Sequence, residues 1–211
     1  MDKYNVCENF TLRCYRVRET PKMFILKCTI NRKRNDSEEF TAPIYIDVNC
    51  IKGKCEGLES TLGKNIDRYE HQTVRINGTF MPTEYEGKDK EVTPAQRLWA
   101  DEIWLADVSD GAEYNHCIDW IAYCHEQKTT ESALTLNCTM NSKKREGGYT
   151  KPIKIFIVCP VDSCNIEKDA YSESVIRVTG RFLPDDYIDK DGNAKSVMKI
   201  FAESVVKNRH K

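Results

Sequence analysis

The stretch VIRVTGRFLPDDYIDKDG, residues 175–192, alternates apolar and polar side chains up to a glycine, passes an aromatic, and turns over on Asp191-Gly192. Residues 73–89, TVRINGTFMPTEYEGKD, write the same phrase. The repetition extends outward from these two strands. FILKCTIN (24–31) matches LTLNCTMN (134–141) at a separation of 110, and APIYIDVNC (42–50) matches KPIKIFIVC (151–159) at 109. VRINGTFMP (74–82) matches IRVTGRFLP (176–184) at 102, and RLWADEI (97–103) matches KIFAESV (199–205) at the same 102. Order is kept and the separation drifts only between segments. The chain therefore reads as two copies of one domain, 1–112 and 113–211, with little linker beyond VSDGAEYN (108–115).

Within a copy the apolar period is two. Phe24, Leu26, Cys28 and Ile30 alternate with Ile25, Lys27 and Thr29, and Ile44, Ile46, Val48 and Cys50 with Tyr45, Asp47 and Asn49. Such alternation describes strands with one buried face. CEGLESTLGKNIDRY (55–69) predicts a short helix, weakened by Gly57 and Gly63. VRINGTF and RLWADEIWL add two strands on either side of a long polar hairpin. Five strands with a helix between the third and fourth is the layout of an OB-fold. The expected class is all-β with short helices, as two tandem OB-fold five-stranded β-barrels.

Composition excludes several classes. Of 211 residues, 40% are hydrophobic and 31% charged, which is globular rather than disordered. The formal net charge of -1 confines any affinity for polyanions to local basic patches. No stretch approaches the roughly 18 apolar residues of a membrane span. MDKYNVCENF lacks the basic-then-apolar pattern of a secretory signal. The expected setting is cytoplasmic, or another intracellular reducing compartment.

The second copy resembles the single-stranded DNA-binding (SSB) protein family. VIRVTGRFLPDDYIDKDG looks like that family's fourth strand and following hairpin, and KIFAESV and LWADEIWL look like its last strand. The resemblance implies non-specific binding of single-stranded DNA through basic grooves and stacking aromatics, with four OB domains per assembly. Two domains per chain then imply a homodimer. It also places stacking aromatics at Tyr85 and Tyr187, each seven residues after a strand-four glycine, and at Tyr45 on the third strand. TLRCYRVRE and IAYCHEQK depart from the family's opening strand. The chain stops at VVKNRHK, so recruitment of partners through an acidic tail is not expected.

The residues add their own case for nucleic acid. Arg32, Lys33 and Arg34 occupy the loop between strands two and three, and Lys143, Lys144 and Arg145 its counterpart. Cations there contact phosphates while ring faces stack bases. Arg13, Arg16 and Arg18 add charge on the first strand with Tyr15 interleaved. Arg75 and Arg177 recur in strand four opposite the apolar set and are expected to be exposed. Phe156 shares a face with Lys154, while Phe24, Phe80 and Phe182 read as core. Trp99 and Phe201 recur on a strand whose phase stays open. RNA or a protein partner would suit the same fold, because stacking platforms read any single strand.

All ten cysteines repeat: Cys7 with Cys117, Cys14 with Cys124, Cys28 with Cys138, Cys50 with Cys159, and Cys55 with Cys164. Three readings stay open: a zinc site of Cys7, Cys14, Cys50 and Cys55 in each copy, disulfides, or plain reduced thiols. No metal-ligand histidine spacing, G-x-S-x-G or phosphate-binding glycine loop points to an enzyme. Asp185, Asp186, Asp189 and Asp191 read as a polar hairpin rather than a cation site. A tandem immunoglobulin-like adhesion protein would account for repeats, paired cysteines and the sequons at Asn9, Asn77 and Asn137. It would need about seven strands per copy and a Trp beside a disulfide, and neither pattern is written here.

Overall fold

In the computed structural model, residues 4–34, 38–58, 69–106, 114–166 and 170–208 are described. The alternating segments become strands. The first copy forms β1 (Val6–Glu19), β2 (Met23–Ile30), β3 (Ile44–Ile51), β4 (Thr73–Glu86) and β5 (Val92–Leu105). The second forms β6 (His116–Thr129), β7 (Ala133–Met140), β8 (Ile153–Pro160), β9 (Asn165–Ile166), β10 (Ser174–Ile188) and β11 (Ala194–Lys207). Among the described residues every named element is a strand. Most of the short helix expected at 55–69, residues 59–68, lies outside the described residues, as does the copy boundary within 107–113.

Pairing follows the OB order. Antiparallel β1–β2 and β2–β3, parallel β3–β5, then antiparallel β5–β4 and β4–β1 lead the hydrogen bonds back to their starting strand. The second copy repeats this through β6, β7, β8, β11 and β10. The result is two OB-fold-like groups of five long strands. The short β9 pairs with β11 where the first copy has only the Glu56–Glu102 bridge. Ring-facing side chains, among them Leu26, Ile46, Val48, Ile76 and Leu98, are at most 1% exposed and make the core.

The repeated glycine has a steric cause. A Cβ on Gly78 would lie 2.1 Å from the Trp99 carbonyl oxygen, and one on Gly180 2.2 Å from that of Phe201. At both places the register slips: Asn77 faces Glu102 but Gly78 faces Ala100, and Thr179 faces Ser204 but Gly180 faces Ala202. Asp101 and Glu203 are thus the extra residues of two equivalent bulges. A bulge bends a long strand and deepens its twist, here the 14-residue β5 and β11. The phrase is written twice because each copy must make the same bend.

The copies are joined through their first strands. β1 and β6 run antiparallel, with Val6 opposite Ile118 and Cys7 opposite Cys117. Asn5 and Asn115 hold left-handed backbone (φ 55° and 58°) and reach across reciprocally: Asn115 Oδ1 accepts from Thr11 N–H at 2.8 Å, and Asn5 Oδ1 from Ile121 N–H at 2.7 Å. Beneath this seam Phe10, Phe80, Trp120 and Phe182 form one aromatic cluster. Phe80 stacks on Trp120 at 4.4 Å between centroids, and Phe10 meets Phe182 at 5.6 Å. The Trp120 indole N–H donates to the Val6 carbonyl at 2.9 Å. The hydrophobic core therefore runs through both copies.

Candidate nucleic-acid interface

The face of an OB-fold that meets oligonucleotides is the outer surface of strands two and three with its flanking loops. On the first copy that surface follows from alternation. With Leu26, Cys28, Ile46 and Val48 inside, Ile25, Lys27, Thr29, Tyr45 and Asp47 must point out. Tyr45 is 59% exposed and meets Tyr15 of β1 edge-to-face at 6.3 Å. Arg13, Arg16 and Arg18 are exposed along β1, and none has an ion-pair partner among the described residues. Arg13 and Tyr45 both pair with Thr29, so cation and ring share one row across three strands. This is an open surface of rings and uncommitted guanidinium groups.

The basic loops are differently placed. Arg32 donates to the Pro184 carbonyl at 2.9 Å and to Asp185 at 3.1 Å. Arg34 pairs with Asp186 at 2.5 Å, and the Ala42 N–H donates to the same carboxylate oxygen at 2.8 Å. The Asp186 side chain is only 3% exposed. In the second copy Lys144 pairs with Glu84, which also accepts from the Lys151 N–H at 2.7 Å. Each loop thus grips the hairpin of the other copy, by equivalent residues. Lys33 pairs with Glu38 within its own loop. Lys143 and Arg145 stay exposed, without an ion pair among the described residues.

Two of these carboxyls report the grip. The Lys144 ammonium and the Lys151 N–H hold Glu84 below its ordinary value. Burial pushes Asp185 up, but Lys199, the Asp186 N–H and Arg32 together outweigh it and leave it depressed. Both groups sit lower folded than unfolded. Their stabilisation is complete above about pH 5 and is lost as pH falls through the folded values. Thermal unfolding should therefore occur at a lower temperature at pH 3 than at pH 6. Glu84→Gln should shrink that difference, and an undiminished difference would mean that Glu84 does not contribute.

Strand four departs from expectation. Arg75 is not exposed but 5% accessible, its guanidinium 4.8 Å from the Tyr114 ring centroid. The segment entering the second copy lays that ring across it, a cover that the alternation of strand four cannot register. Arg177 is partly exposed and faces Asp119 at 3.7 Å. Tyr85 and Tyr187 are exposed on their hairpins at 58% and 55%. Tyr187, Lys154 and Phe156 line one cleft of about 660 Å³, completed by Ile44, Pro94 and Gln96 of the first copy.

Three features escape the sequence reading. Leu98 and Ala100 are buried, so Arg97 and Trp99 face outward beside Asp47 and Asn49. Tyr123 is 40% exposed and meets His125 edge-to-face at 4.9 Å, in the second copy's counterpart of the Tyr15 region. The alternation around buried Cys124 was the available signal for it. Cysteines pair across neighbouring strands: Cys14 lies opposite Cys28 and Cys124 opposite Cys138 in register. Cys55 N–H donates to the Ile51 carbonyl at 3.0 Å, bringing Cys55 back toward Cys50. Cys7, a member of the zinc set considered above, faces Cys117 at the seam. No cluster of three or more His, Cys, Asp or Glu among the described residues is arranged to hold a metal, and all ten cysteines are free thiols. Asp189 accepts from the Asp191 and Asn193 N–H groups and closes the hairpin turn.

Comparison with solved structures agrees on the fold. A deletion mutant of the single-stranded DNA-binding protein from Thermus aquaticus aligns over 98% of this chain and 93% of its own, with a TM-score of 0.51 and 11% identity. The wild-type protein from the same organism aligns over 98% and 92%, with a TM-score of 0.49 and 12% identity. No protein-family model matches the chain, and no curated protein matches it.

Proposed function

We propose that the chain is a non-enzymatic module that binds single-stranded DNA, largely irrespective of sequence, and shields it during replication, recombination or repair in a reducing intracellular compartment. The observation that carries the reading is the open face of the first copy, where Tyr15 and Tyr45 stand among Arg13, Arg16 and Arg18 with no carboxylate paired to these arginines among the described residues. Rings stack bases and guanidinium groups neutralise phosphates, and neither operation depends on base identity. The OB-fold shared with the T. aquaticus protein supports it. In this reading residues 1–112 and 113–211 are two OB units, and two chains associate as a homodimer to supply four. Sedimentation should then give twice the 24.4 kDa chain mass, and a monomer at working concentration would remove the dimer.

Titration of an oligothymidylate against a duplex of equal length tests the reading. The single strand should bind tighter. Equal affinity, or preference for the duplex, would overturn it. RNA is the second single strand the face suits, and oligouridylate in the same titration distinguishes the two.

A further inference from the structure

The outer surface of the first copy continues past Tyr45 into a groove across β2, β3 and β5. Two registers define it. Ile25, Asn49 and Trp99 form one row, and Lys27, Asp47 and Arg97 the next. These six side chains, with Arg18 and Met23, line a groove of about 360 Å³. Asn49 is 4% exposed and lines this groove. Arg97 Nε is buried and has no hydrogen-bond partner among the described residues. Lys27 donates to Asp47 Oδ2 at 2.6 Å, which leaves Oδ1 uncommitted. Buried polar groups are ordinarily hydrogen-bonded, and leaving one unmade is costly. Arg97 Nε is thus a buried donor with its bond unmade, in the wall of a groove that also offers the Asn49 amide, the second Asp47 oxygen and an indole.

We infer that this groove is a guanine pocket, a single position of base reading within an otherwise indifferent path; the inference rests on the single-strand reading above. Guanine carries two adjacent acceptors, O6 and N7, followed by two adjacent donors, N1–H and the N2 amino group. Arg97 supplies donors for the first pair, the commonest specific contact to guanine. Asp47 accepts from N1–H and N2–H, and Asn49 accepts the remaining amino hydrogen. Trp99 gives the base a face to stack on. Adenine and cytosine turn an amino donor toward Arg97 and an acceptor toward the Asp47 carboxylate, so they are repelled where guanine is held. Thymine meets each group once and falls between.

The second copy has lost the pocket. Val158 stands for Asn49, Phe156 for Asp47, Asn137 for Lys27 and Phe201 for Trp99. Lys199 stands for Arg97 and is taken up by Asp185. Its surface offers rings without a hydrogen-bonding code. Base discrimination therefore belongs to the first copy alone.

The test uses the full chain and short oligothymidylates of one binding length, carrying a single central dG, dA or dC. The dG oligomer should bind about tenfold tighter than the dA oligomer, the low end of what one bidentate base contact discriminates. Replacing dG by 7-deazaguanine, which lacks N7, should reduce that ratio. Asn49→Val and Arg97→Lys install the residues already accommodated in the second copy, and each should lower the dG to dA ratio. Equal binding of dG and dA oligomers alongside firm oligothymidylate binding would overturn the pocket and leave the single-strand reading standing. No binding to any oligomer would overturn both.

Discussion

Trp120→Ala should destabilise the chain by about 3–5 kcal/mol, the cost typical of truncating a fully buried large aromatic. Trp120 has no exposed surface and stacks on Phe80 of the first copy while packing against Phe182 of its own. Its N–H is also spent across the seam, on the Val6 carbonyl. Because it belongs to both cores, the loss should lower one shared unfolding transition rather than split off the second copy. Denaturant titration followed by fluorescence and by circular dichroism checks this. Two resolved transitions in the parent chain would contradict a common core.

The largest loss of binding is expected from Tyr15→Ala with Tyr45→Ala. The two rings meet edge-to-face at 6.3 Å with Tyr45 59% exposed, so both are held ready without being buried. Stacked bases lose roughly 1–3 kcal/mol each on alanine substitution, and the pair should weaken oligothymidylate binding by about 2–6 kcal/mol. Neither ring is core, so thermal stability should stay close to the parent's. Parent-like binding by the double variant would move the strand's path off this face.

The fold was largely legible because local and repeated signals agree. A period of two placed Leu26, Cys28, Ile46 and Val48 inside, and the repeat of segments in one kept order marked out the two copies. Tyr45 was legible for the same reason, on the outward side of β3, whereas Arg13 and Arg16 are both exposed because the β1 register shifts between Cys14 and Arg16. Contacts distant in sequence were not legible. Arg32 and Arg34 read as phosphate clamps, but their carboxylates arrive from Asp185 and Asp186 in the other copy. Arg75 lies under Tyr114, beyond the reach of any strand pattern. Trp99 and Arg97 were missed because the bulge at Asp101 leaves β5's phase open until its pairing is known.

The central claim is that a strand's phosphates lie along β1 of the first copy, since Arg32, Lys33, Arg34 and Lys144 of the loops are engaged elsewhere. Titrating a labelled oligothymidylate at several salt concentrations, with the parent and with Arg13, Arg16 and Arg18 all changed to Ala, tests it most directly. Each phosphate contact contributes about 0.7 to the slope of log affinity against log salt for single strands. The triple variant should bind more weakly, with a slope flatter by about 2. Identical slopes and affinities for the two proteins would contradict it.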